Sequence, residues 1–75
     1  MIKYKFIQSS REILGGTPVF VGTRVPVQTL IDYLEEGKTV DEFLLDFPTV
    51  NRESATGVLE QFKKSFLKEC YESAA

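Results

Sequence analysis

Acid-base or nucleophilic catalysis near neutral pH needs a side chain that exchanges a proton there, or a nucleophile with a base beside it. This sequence offers neither in a recognisable pattern. Histidine is absent, which removes the group whose ordinary pKa lies closest to neutrality. The single cysteine, Cys70, has no imidazole to activate it and lies on or beside an apolar helical stripe, so a packed core or interface thiol is the simpler reading. One thiol cannot close an intramolecular disulfide or build a thiolate zinc cluster. Among the carboxylates, Glu35, Glu36, Asp41, Glu42 and Glu53 are spread over helix starts and solvent faces, where dipole and solubility roles account for them. The run GGTPVFVGTR contains Gly15, Gly16 and Gly22. It lacks both the dinucleotide fingerprint and the Lys-Ser/Thr ending of a phosphate loop, so its glycines read as turn residues. No catalytic residue, metal, cofactor or small-molecule substrate is expected.

What remains is contact chemistry with other macromolecules. The Arg24 guanidinium can grip a phosphate or a carboxylate through two parallel hydrogen bonds, so it suits DNA, a partner protein or an internal carboxylate, the internal role being favoured. The stretch FKKSFLKECYESAA keeps Phe66, Leu67, Cys70 and Tyr71 apolar beyond the point where a compact core should be complete. Excess apolar surface on a helix extension marks an interface, here for a homodimer or a groove on a partner. Lys63, Lys64 and Lys68, with Lys3 and Lys5, read as ordinary solubilising charges.

These groups have to be positioned by a β-leaning arm over residues 1–25 and a helical core over residues 26–75. Alternation in KYKFIQS suits a short strand. Val19 to Val21 and Arg24 to Val25 can form a tight hairpin around Gly22 and Thr23, with Pro18 and Pro26 limiting its ladder. In the first helix, Pro26 to Glu36, Val27, Leu30, Ile31 and Leu34 recur at i, i+3, i+4 and i+7; Pro26 suits its first position and Gly37 closes it. Thr39 and Glu42 have capping-box spacing for a short second helix carrying Phe43, Leu44 and Phe47, stopped by Pro48. Asn51 caps a third, longer helix, with Val50 and Ala55 placed as a hydrophobic staple and Ala55, Val58, Leu59, Phe62, Phe66 and Cys70 on one stripe.

Two short helices and a longer one form a mainly α, three-helix bundle containing a helix-turn-helix of homeodomain-like type, with a short N-terminal β arm or hairpin; a plain three-helix bundle without a DNA role has the same spacing. In the DNA reading the start of the third helix enters the major groove. It then presents Asn51, Arg52, Ser54 and Thr56, with Arg52 the strongest candidate for a base or phosphate.

Composition agrees with a single small domain. The 75 residues are 43% hydrophobic, 12% aromatic and 27% charged, an ordinary globular profile. A domain of this size buries only about 60% of its unfolded surface, so self-association or a partner is expected. A net charge of −2 argues against a surface wholly devoted to nucleic acid, though not against a local basic patch. The opening MIKYKFIQSSREIL has no sustained apolar run, and no stretch approaches the roughly 20 apolar residues of a membrane span, so a cytoplasmic location is expected.

Gly16, Pro18, Gly22, Thr23, Arg24, Pro26 and Val27 spell G-x-P-x-x-x-G-T-R-x-P-V. With the helix closed by Gly37, the acidic helix ending Asp46-Phe47-Pro48 and the capped last helix, residues 12 to 62 resemble a widespread prokaryotic family of small proteins known as a domain of unknown function. The resemblance implies a homeodomain-like helix-turn-helix. It also implies kinship with VapB-type antitoxins of type II toxin-antitoxin systems, which silence a PIN-like ribonuclease and regulate transcription by binding operator DNA. The alternative is an interaction module of the same fold without DNA binding. Against the family's commoner pattern, Val21 and Thr17 stand where basic residues are frequent. Gly57 stands where Ala is usual, at a cost of about 1 kcal/mol in an exposed helix interior.

Overall fold

The computed structural model describes residues 5–74. In chain order the elements are β1 (Ile7–Gln8), a 3-10 turn (Leu14–Gly16), β2 (Val19–Phe20), α1 (Val27–Glu35), α2 (Val40–Asp46) and α3 (Arg52–Ala74). The fold is mainly α, three helices with a short two-stranded antiparallel sheet at the N-terminal end, as the sequence pattern predicts.

The sheet pairs differently from the expected hairpin. β2 takes its ladder from β1, with Ile7 opposite Phe20 and Gln8 opposite Val19. The predicted strand in KYKFIQS contracts to Ile7–Gln8, and its Lys3 and Tyr4 lie outside the described residues. The turn around Gly22 and Thr23 is present. The Phe20 amide donates to the Val25 carbonyl at 3.0 Å, and the Thr23 amide donates to the Phe20 carbonyl at 3.0 Å. Gly22 takes φ 77° at the third position of this turn, a conformation that favours glycine. Val19 and Pro26 form only an isolated bridge, because proline has no amide with which to extend a ladder.

Pro26 stands at the N-cap of α1 with extended backbone, φ −62° and ψ 138°, rather than at the expected first helical position. That extension lets the Val27 amide donate to the Pro18 carbonyl at 3.0 Å, so the arm supplies a partner for one of the orphan amides of the helix start. At the other end Gly37 has φ 84°. Its amide donates to the Leu34 carbonyl, and the Lys38 amide to the Tyr33 carbonyl, each at 3.0 Å, the paired bonds of a Schellman motif. In α2 the Glu42 amide donates to Thr39 Oγ1 and the Thr39 amide donates to Glu42 Oε1, both at 3.1 Å. The helix ends at Asp46, before Phe47 and Pro48. Asn51 Oδ1 accepts the Ser54 amide at 2.8 Å and opens α3.

The core gathers Ile7, Val19 and Phe20 from the arm, Val27 and Leu30 from α1, Phe43 from α2, and Val50, Ala55 and Val58 around the start of α3. Phe43 is its hub. Its ring centroid lies 5.8 Å from Phe20, 5.5 Å from Tyr33 in an edge-on contact and 5.1 Å from Phe47, within the range in which aromatic pairs add to simple burial. Ile31, expected on the core stripe, is only half-buried and faces a groove.

Gly57 has a packing reason. A Cβ built there would lie 2.2 Å from Cε2 of Phe6, so the missing side chain lets the Phe6 ring rest directly on α3. Gly57→Ala should therefore displace that ring and lower stability by about 1 kcal/mol, although alanine is the better helix former. In a Phe6→Ala background the same substitution should raise stability by about 1 kcal/mol. Urea unfolding midpoints of the four chains check this inversion of sign; an equal effect in both backgrounds would contradict the contact.

Candidate functional site

α2, the Phe47–Asn51 turn and the start of α3 form the front proposed for DNA. Four candidate residues are brought together there, and most of their polar groups already have work. Asn51 spends its carbonyl oxygen on the cap. The Arg52 guanidinium pairs with the Asp41 carboxylate of α2. Ser54 is half-buried. The Thr56 hydroxyl donates back to the Arg52 carbonyl at 2.9 Å. Asp41, Glu42 and Glu53 are all exposed on the elements that build this front, so its charge balance is acidic. The Arg52–Asp41 pair is itself open to water and contributes little to stability.

Arg24 stands apart from that front, on the turn after β2. It is exposed and has no salt bridge among the described residues, so the favoured internal role has no internal carboxylate to support it. It borders a shallow depression with Gln8, Ile13, Thr23 and Thr49.

The second predicted cluster is intact and open. α3 has 23 residues, about 35 Å at 1.5 Å per residue. Only its beginning meets the core. Ala55 and Val58 are buried, Phe62 is 37% exposed, Phe66 is 66% exposed, and Tyr71 reaches 73%. Leu67 is 40% exposed, and the Cys70 thiol is free and exposed. Phe66, Leu67, Cys70 and Tyr71 recur at i, i+1, i+4 and i+5 and therefore share one face of the projecting half-helix.

Sequence reasoning missed the groove beside that half-helix. It has a volume of about 470 Å³ and is lined by Ile7, Pro18, Val27, Ile31 and Phe62, with Gln28, Asp32 and Glu35 of α1 along its edge. The available signal was Ile31, which makes the apolar stripe of α1 wider than the core needs. Leu45, 80% exposed on α2, also went unremarked. Among the described residues there is no cluster of three or more His, Cys, Asp or Glu side chains suited to a metal ion, and no helix is long and apolar enough to cross a membrane.

The family model described as "Protein of unknown function (DUF433)" matches residues 7–60, well over half of the chain. The chain belongs to the DUF433 family. The match spans the arm, α1, α2 and the part of α3 that packs on the core. A crystal structure of a DUF433 member protein from Anabaena variabilis is similar over 93% of this chain and 69% of that one, with a TM-score of 0.69 and 26% identity. The uncharacterized protein y4eO of Sinorhizobium fredii is 41% identical over 49 residues, 65% of this chain and 22% of that protein. The chain thus spans about a fifth of the length of this curated relative.

One ionisable group ties α1 to α2 at the surface of this DUF433 domain. The Tyr33 hydroxyl donates to Asp46 Oδ2 at 2.6 Å, and that hydrogen bond, then desolvation, then the charges of Asp46 and Glu36 raise its pKa above the ordinary value of 10.0. A raised folded-state value stabilises the fold below pH 10, and the contribution is lost as the pH climbs through the folded pKa. The tyrosinate absorbance missing from Tyr33→Phe should accordingly titrate above pH 10, and Asp46→Asn should move that midpoint down. A midpoint indifferent to Asp46→Asn would contradict the contact.

Proposed function

We propose that this DUF433 protein acts by binding, as an antitoxin-like module that presents the projecting half of α3 to a partner protein. The observation that carries this reading is the exposed face of Phe66, Leu67, Cys70 and Tyr71 beyond the end of the core. A small domain that holds large apolar side chains in water on a projecting helix has a surface suited to helix-in-groove docking. The partner class implied by the family resemblance is a PIN-like ribonuclease, whose neutralisation would be the module's task.

Operator DNA ranks below a protein in this reading. Affinity for DNA rests on neutralising phosphates with Lys and Arg. On the front of α3, Arg52 is paired with Asp41, and Glu42 and Glu53 stand beside it. An autoregulatory role would need positive charge from elsewhere, with Arg24 the open candidate.

Co-expression of the full chain with the product of the adjacent gene, followed by affinity capture, tests the reading. The wild-type chain should retain that product, and Phe66→Asp with Tyr71→Asp should weaken retention by about a hundredfold, the scale of two lost interface anchors. Both positions are exposed, so the fold should be unaffected. Undiminished capture by the doubly substituted chain would overturn the reading.

A further inference from the structure

We infer that a second copy of this chain lays the projecting half of its α3 in the groove beside α1 and receives the first copy's half-helix in return. The inference rests on reading that half-helix as a docking element, and it names the first occupant of the same face.

The groove dictates what can fill it. Its floor is apolar, formed by Ile7, Pro18, Val27, Ile31 and Phe62, and Asp32 and Glu35 stand along one edge. A fitting helix must be apolar on one face and positive along the border of that face. The projecting half of α3 has this pattern. Lys64 and Lys68 precede Leu67 and Tyr71 by three residues each, so they line one edge of the apolar face. Neither lysine, nor Asp32 or Glu35, has a salt-bridge partner among the described residues. In a chain of net charge −2, a negative border and a positive border thus lie on the two surfaces that need covering.

The chain cannot satisfy itself. Phe62 already forms part of the groove wall, and the same unbroken helix carries Phe66 to Tyr71 onward into solvent. A two-fold pair of copies makes the contact twice, because each copy contributes one groove and one helix. Self-association also hides the apolar face until a partner protein competes for it, so the homodimer and the heterologous complex exclude one another at this surface.

Sedimentation velocity of the full-length chain over a concentration series tests the inference. The wild type should be a dimer that dissociates on dilution. Asp32→Lys with Glu35→Lys, and separately Lys64→Glu with Lys68→Glu, should each weaken dimerisation by about tenfold or more, and the chain carrying all four substitutions should recover most of the loss. A chain that is monomeric throughout, a dimer indifferent to either reversal, or a fourfold variant that recovers nothing would overturn it. The Asp32→Lys/Glu35→Lys chain leaves α3 untouched. It should therefore still capture the partner as a monomer, whereas a wild-type chain that is monomeric throughout and still captures the partner would reject the reciprocal dimer while leaving the docking reading standing.

Discussion

Phe43 sits where the arm, α1 and the turn into α3 converge. It is fully buried, and the rings of Phe20, Tyr33 and Phe47 surround it within 5.1 to 5.8 Å. A ring of that size, enclosed on all sides, is worth about 3 to 5 kcal/mol against truncation to alanine, a large share of what so small a domain can hold in reserve. The short helix that bears it is fixed by the Thr39–Glu42 capping box and halted before Pro48, and the arm is tied to α1 by the Val27 amide. These local devices aim three weakly stable segments at one point.

The geometry of that cluster also determines where the core stops. Ala55 and Val58 complete it, Phe62 closes one side of the groove, and α3 continues for three further turns with little beneath it. Isolated helices of such length are marginal in water, and most helix stability in proteins comes from tertiary packing. The projecting half is therefore the part of the molecule with most to gain from another surface. The acidic, internally paired front of α2 and α3 has much less to gain from an anionic one. The two faces first considered for DNA and for protein thus differ in physical kind, although both lie along a single helix.

Much of the architecture was legible because its signals are local. Thr39 and Glu42 are three residues apart, Asn51 and Ser54 likewise, and Gly37 directly follows the turn it closes, so each could be read from the chain alone. The exposed cluster on α3 was also legible, since its apolar spacing outlasts any core that 75 residues can build. What escaped depends on residues distant in the chain. The limit that Pro26 sets on the nearer ladder could be read, but the pairing of β2 with β1, from before the 3-10 turn, could not. Gly57 looks like a weak helix residue until Phe6, from the opposite end of the chain, is found against it. Arg52 looks free until α2 brings Asp41 to it. Ile31 fits the core stripe by period, yet it faces a groove whose other walls come from the arm and from α3.

Residue-resolved hydrogen exchange along α3 bears most directly on the claim that this helix outruns its core. At concentrations low enough to keep the chain monomeric, amides near Ala55 and Val58 should open only with global unfolding, while those from Phe66 to Tyr71 should exchange through local fraying at far lower free energy. Protection of that second segment should then rise when a docking surface is supplied. Uniform, core-like protection along the whole of α3 in the isolated monomer would contradict the account.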